Sequence, residues 1–126
     1  MNMRSPLSRA RGLGSAKTGT DHWWAQRLTA LALIPLVIWF VVSMIIVTGA
    51  DHAAAVEFIS SPINAVLLIL LIVATFHHGQ LGLQVVIEDY VHGERAKVIS
   101  LVLNLFVAIF FGGSSIIAIL KVAFGG

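Results

Sequence analysis

Two adjacent histidines, His77 and His78, stand in an otherwise apolar run, and Glu88, Asp89 and Tyr90 close that run. Neighbouring residues on a helix point about 100° apart, so the two imidazoles cannot hold one metal ion together and need separate roles. His78 shares its face with Leu71, Ala74, Thr75, Gly82, Val85 and Asp89. The small residues Ala74, Thr75 and Gly82 lie within one turn of it and leave room for something flat and broad against the backbone. A haem fits that shape; a hydrogen bond to a neighbouring helix would use the same imidazole equally well. His77 lines up instead with Gln80 and Gln84, a polar stripe of the kind that bonds helices to one another. The pattern argues against zinc, which takes three or four N, S or O ligands where the apolar runs offer neither cysteine nor carboxylate. A haem held by His78 lacks a second axial ligand on that face, so the missing histidine would come from another polypeptide. Arg27, at the start of an earlier apolar run, is placed to pair with a haem propionate, although an arginine snorkelling to an interface is the commoner use.

Asp89 and Tyr90 supply a second kind of chemistry. A phenol can donate a hydrogen bond to a carbonyl oxygen, and an adjacent carboxylate can orient that hydroxyl or relay a proton. The competing reading is an aromatic-belt tyrosine ahead of a solvated turn, HGERAK, with Gly93 ending the helix.

The elements that carry these residues follow from composition. Of 126 residues 58% are hydrophobic and 11% charged, and the mean hydropathy is +0.94, which places the chain in a membrane. So little polar surface leaves no room for a separate aqueous catalytic domain. Without cysteine the chain ligates no iron–sulfur cluster and performs no thiolate catalysis. A net charge of +2 excludes nucleic acid as a partner. Runs of 23, 30 and 23 residues free of Asp, Glu, Lys and Arg lie between Arg27 and Asp51, Glu57 and Glu88, and Lys97 and Lys121. About 20 apolar residues cross a bilayer, and only a helix satisfies its own backbone there, so three transmembrane helices are expected at about 25–49, 58–87 and 98–120. The first run is too long for the apolar core of a cleaved signal peptide. Arg4, Arg9, Arg11, Lys17 and Arg27 precede it, and Arg95 and Lys97 lie between the second and third runs. The first loop offers only Asp51 and Glu57, so the N-terminus should face the cytoplasm or matrix and the C-terminus the opposite side.

Residues 1–20 form a basic, Gly- and Ser-rich segment expected to be flexible, ahead of a membrane domain over 21–126. Thr20 or Asp21 is the expected N-cap of the first span, with Trp23 and Trp24 at the interface. Pro35 should bend that span. Asn104 should bond to another helix, and Gly112, Gly113, Ser114 and Ser115 permit close backbone approach. None of the runs holds a midplane charge, which argues against an ion- or proton-coupled transporter.

The pattern H-x3-G-x6-DYVHG, from His78 through Gly82 to Gly93, resembles the small hydrophobic membrane anchor of succinate dehydrogenase, respiratory complex II, of the cytochrome b556 type. HWWAQRLTALAL, His22 to Leu33, is similar to the start of the first helix in bacterial members, and the likeness covers about residues 20–120. The resemblance implies an all-α integral membrane protein of three helices within a heteromeric bundle, with no catalysis of its own. It implies His78 as axial ligand of haem b, with His77 as fallback, and the second ligand on a partner cytochrome b anchor that also has three membrane helices. Arg27 matches an arginine near the haem propionates, with His22 a further candidate there. Tyr90 corresponds to a tyrosine bonded to ubiquinone, and Asp89 to its acidic neighbour. FAD and iron–sulfur clusters would reside only in the partner flavoprotein and iron–sulfur subunits, and the chain in a bacterial cytoplasmic membrane ahead of a mitochondrial inner one. Carrying electrons from succinate oxidation into the quinone pool is then the expected function. The alternatives are the anchor of a related fumarate reductase and a non-redox structural membrane protein.

Overall fold

The computed structural model describes residues 6–10 and 17–125. They form α1 (Pro6–Ala10), α2 (Lys17–Val47), α3 (His52–Ser60), α4 (Pro62–Tyr90) and α5 (Glu94–Ala123). No strand occurs among the described residues. Three helices are long and apolar enough to cross a membrane: Gly19–Val47 within α2, α4 and α5. The protein is therefore an all-α, multi-pass membrane protein. Most of the expected flexible segment, residues 1–5 and 11–16, lies outside the described residues; within the rest of it Pro6–Ala10 is helical and α2 is already under way at Lys17. Thr20 and Asp21 consequently stand inside α2 and do not cap it. Pro35 also stands within α2, which continues on both sides of it.

The uncharged 30-residue run is broken. Ser61 is extended at φ −63° and ψ 125° and ends α3 while beginning α4. Pro62 is the cause: its ring disfavours helical geometry in the residue before it, and its fixed φ suits the first turn of the helix it opens. The second membrane helix thus starts at Pro62, downstream of its expected beginning at about residue 58, and runs to Tyr90. The short α3 is a feature hydropathy alone does not separate, because its sequence HAAAVEFIS is itself largely apolar. Asp51 caps α3 by accepting from the Ala54 amide at 2.9 Å.

At the other end of α4 the chain turns in three residues, 91–93. Val91 is extended, and Gly93 caps the start of α5 where it was expected to end α4. Two carbonyls left over at the α4 terminus find side chains: Lys97 Nζ donates to Glu88 O at 2.9 Å, and His92 Nδ1 lies 2.8 Å from Tyr90 O. The start of α2 and the α4–α5 turn therefore share one end of the bundle. The far end holds α3 and the C-terminal end of α5, joined by Ser60 Oγ donating to Val122 O at 3.3 Å.

α4 is the central helix. It packs on α2 along one side and on α5 along another, and among the described residues the backbones of α2 and α5 do not approach closely. Ala65, Leu68, Ala74 and Leu81 on α4 are buried, as is Gly112 on α5, whose missing side chain admits the Phe76 ring at 3.4 Å from where a Cβ would stand. Such a row of three helices buries few side chains and exposes many large apolar ones, among them Ile34, Ile38, Phe106 and Phe110. In water that surface would be untenable; in lipid it matches the solvent.

Candidate functional site

Helix α2 presents His22, Gln26 and Thr29, spaced by four and three residues, on one stripe. The stripe faces α4 at His78 and Gly82. Thr29 Oγ1 lies 3.0 Å from His78 Nδ1, and it also reaches the carbonyls of Ala25 at 2.7 Å and Gln26 at 3.1 Å. A Cβ on Gly82 would stand 3.8 Å from Gln26 Nε2, so the glycine lies directly beneath that amide. His22 Nε2 and Gln26 Oε1 are buried with no hydrogen-bond partner among the described residues.

On the outer side of this contact His78 lines an open, apolar groove of about 420 Å³ with Ala30, Leu33, Ile34, Val37 and Ile38. The room beside His78 is thus supplied by α2. Of the small residues of α4 expected to provide it, Ala74 is buried at a second α2–α4 groove and Gly82 sits under Gln26, while Thr75 is exposed. Arg27, Ala30, Ile34 and Ile38 recur at three- and four-residue intervals, so Arg27 stands on the groove stripe one turn before its first lining residue. Its guanidinium carbon is 5.4 Å from the centroid of the exposed Trp23 ring.

These residues fit a haem. Nδ1 of His78 is engaged by Thr29, Nε2 has no partner among the described residues, the neighbouring walls are apolar, and a cation sits at the entrance to meet a carboxylate. The orphaned His22 Nε2 and Gln26 Oε1 on the same α2–α4 contact await polar partners that three helices do not supply.

His77 has a different setting. It is exposed and borders two clefts, one of about 250 Å³ with Phe76, Gln80 and α5, the other of about 280 Å³ with Leu28, Thr29 and Ala32 of α2. Its expected stripe exists, but it bonds within α4: Gln80 Nε2 donates to Gln84 Oε1 at 3.4 Å, and Gln84 Nε2 to Glu88 Oε1 at 2.9 Å. The bond between helices comes from Asn104 of α5, whose Nδ2 donates to the Gln80 carbonyl at 2.9 Å, as expected of Asn104. Among the described residues no three His, Asp or Glu side chains gather as a metal cage.

Asp89 and Tyr90 form the last residues of α4, both exposed, with Tyr90 at 77%. Tyr90 lies twelve residues from His78, about 18 Å along the helix axis at 1.5 Å per residue. The structure therefore brings Thr29 against His78, leaves His22 on the same α2 stripe about 10.5 Å from Thr29 at 1.5 Å per residue, sets Arg27 one turn before the groove beside His78, and keeps Asp89 and Tyr90 apart at the helix end. Thr29 and Gln26 are additions to the expected site. The polar 22, 26, 29 spacing on an otherwise apolar helix is the signal that points to them.

Residues 1–112 match the family described as succinate dehydrogenase/fumarate reductase transmembrane subunit. The succinate dehydrogenase hydrophobic membrane anchor subunit of Rickettsia bellii is 31% identical over 96 residues, 76% of this chain and 77% of that protein. The succinate dehydrogenase membrane anchor subunit of Reclinomonas americana is 32% identical over 96 residues, 74% of this chain and 80% of that one. The hydrophobic membrane anchor subunit of Paracoccus denitrificans is 30% identical over 97 residues, 77% and 75% of the two chains. Three membrane-length helices and relatives that are anchors, not catalytic subunits, lead to one conclusion: the chain belongs to the family of succinate dehydrogenase hydrophobic membrane anchor subunits.

Proposed function

We propose that this chain anchors a succinate:ubiquinone oxidoreductase in a bacterial cytoplasmic membrane, supplies one axial ligand to a haem b, and builds part of the ubiquinone-reduction site. It assembles with a second anchor, a cytochrome b chain that provides the other haem ligand, and with the iron–sulfur and flavoprotein subunits. The basic N-terminal end and the α4–α5 turn face the cytoplasm. The observation that carries the reading is His78: one ring nitrogen is held by Thr29 and the other is unpartnered among the described residues, at an apolar groove headed by Arg27.

In this arrangement His78 Nε2 is the ligating atom and Arg27 holds a propionate, with His22 near the same edge. Bound there, a haem supplies a one-electron redox centre within the membrane. At the inward end of α4, Tyr90 donates its hydroxyl proton in a hydrogen bond to a ubiquinone carbonyl, and Asp89 orients that hydroxyl or passes a proton to it. Reducing a quinone takes two electrons and two protons, so a site at the helix terminus, where protein meets water and a peripheral electron donor, suits the chemistry. Flavin and iron–sulfur clusters belong to the catalytic partners, since this chain has no cysteine to hold a cluster.

Purification in mild detergent with the partner subunits tests the whole reading. A haem b absorption spectrum and copurifying flavin are expected; absence of both leaves a structural membrane protein in its place. Running the isolated complex with fumarate and a low-potential quinol separates the succinate dehydrogenase assignment from the fumarate reductases that share the family description.

A further inference from the structure

The Thr29 hydroxyl has one proton and three neighbours. Two are carbonyl oxygens of its own helix, Ala25 O at 2.7 Å and Gln26 O at 3.1 Å, and the third is His78 Nδ1 at 3.0 Å. Carbonyl oxygens only accept, so one of them takes the hydroxyl proton, in the back-bonded geometry that threonine adopts inside helices. The shorter distance to Ala25 O makes that carbonyl the acceptor. What remains on Oγ1 is a lone pair, and a lone pair facing Nδ1 at 3.0 Å requires the proton of that contact to come from the ring. His78 is then the Nδ1–H tautomer, with the Nε2 lone pair free.

From this accounting we infer that Thr29 is the positioning residue for His78: its oxygen accepts the Nδ1–H, selects the tautomer that can ligate through Nε2, and fixes the rotation of the ring. The inference rests on the haem reading above. Metal-ligating histidines generally donate the other ring N–H to an acceptor, which orients the ring and makes the ligating nitrogen more basic. Here the acceptor comes from α2, 49 positions away in sequence, and the contact forms from this chain alone. The α2–α4 packing therefore prepares the ligand before any partner arrives. Thr29 occupies a half-buried position between Ala25 and Leu33, where an isosteric valine fits but offers no acceptor.

The test uses the assembled complex in its wild-type, Thr29→Val, Thr29→Ala and Thr29→Ser forms. The readouts are haem content after dilution in detergent, the haem midpoint potential, and the low-spin ferric resonance spectrum. Removing the acceptor makes the imidazole a poorer donor, which disfavours the ferric state. Valine and alanine should therefore raise the midpoint potential, alter the ferric spectrum and weaken haem retention about tenfold, the lower end of the range for such outer-sphere ligand partners. Serine keeps the oxygen and should restore wild-type values. Loss of haem from the valine and alanine forms in an otherwise intact complex, rescued by serine, is the limiting case of the same result. Wild-type potential and spectrum in either the valine or the alanine form would overturn the inference, as would a serine form that behaves like valine. Failure of the haem reading itself looks different: the wild-type complex carries no haem, or His78→Ala keeps an unchanged spectrum.

Discussion

The two faces of α4 that carry His77 and His78 differ in almost everything but residue type. His78 is half-buried, bonded through Nδ1 to another helix, and set beside an apolar groove with a cation at its entrance. His77, one residue earlier, is exposed, without a hydrogen bond among the described residues, and accompanied by glutamines that bond along their own helix. What separates them is what the neighbouring helices offer each ring, since His77 borders α2 as well as α5 but bonds to neither among the described residues. α2 brings Thr29 and a wall of Ala30, Leu33 and Ile34 to one imidazole, while α5 brings Asn104 to a backbone carbonyl near the other. The first face leaves a ring nitrogen without a partner among the described residues beside an apolar groove; the second is a polar seam between helices.

Substitution should separate the faces sharply. In the purified complex, His78→Ala is expected to abolish the haem b absorption bands or convert them to a different ligation state, whereas His77→Ala leaves them in place. An optical spectrum of each variant reads this directly, and the reverse outcome would transfer the site to the other face. Tyr90→Phe removes one hydroxyl at the far end of the helix, so quinone reduction should fall by about 10²-fold, the scale of a lost catalytic proton donor. Succinate oxidation by an artificial acceptor should be unaffected, and equal loss of both activities would indicate failed assembly.

Arg27→Ala tests the groove's entrance. A charge-assisted hydrogen bond contributes about 1.5–3 kcal/mol, so haem retention should fall roughly 10- to 100-fold in a dilution assay, with His78 ligation still visible in the spectrum. The smallest effect belongs to the other face. Asn104→Leu removes the bond to the Gln80 carbonyl, and contacts of this kind within membrane proteins contribute about 0.6 kcal/mol, so only a slight fall in thermal stability is expected, with no change in the haem signal.

Whether a feature is legible in the sequence depends on whether one helix or two are needed to see it. Three spans follow from charge-free runs, since bilayer thickness dictates their length whatever they pack against. The division of His77 from His78 follows from helical periodicity, and so does the distance from His78 to Tyr90. The start of α4 departs from the hydropathy boundary because α3 is as apolar as a span, and the local effect of Pro62 on Ser61 outweighs hydropathy. Gly93 carries the same composition signal whether it ends one helix or begins the next, and the three-residue turn decides for the cap of α5. The 22, 26, 29 spacing marks a polar stripe on α2, but its meeting with His78 and the origin of the groove require the relative rotation of α2 and α4. That rotation is set by packing around Ala74, Leu81 and Gly82, and no periodicity within a single helix reports it. The glutamine stripe shows the same limit: its residues are evident in the sequence, but partners on the same helix satisfy them.

His78 as the haem ligand is tested most directly by a map of the purified complex at side-chain resolution, with the iron located by anomalous scattering. The expected result is one iron bonded to His78 Nε2 at the groove formed with α2, with Nδ1 still against Thr29 and Arg27 at the propionate edge. Iron bonded to His77, or a His78 ring turned so that Nδ1 is the ligating atom, would contradict it.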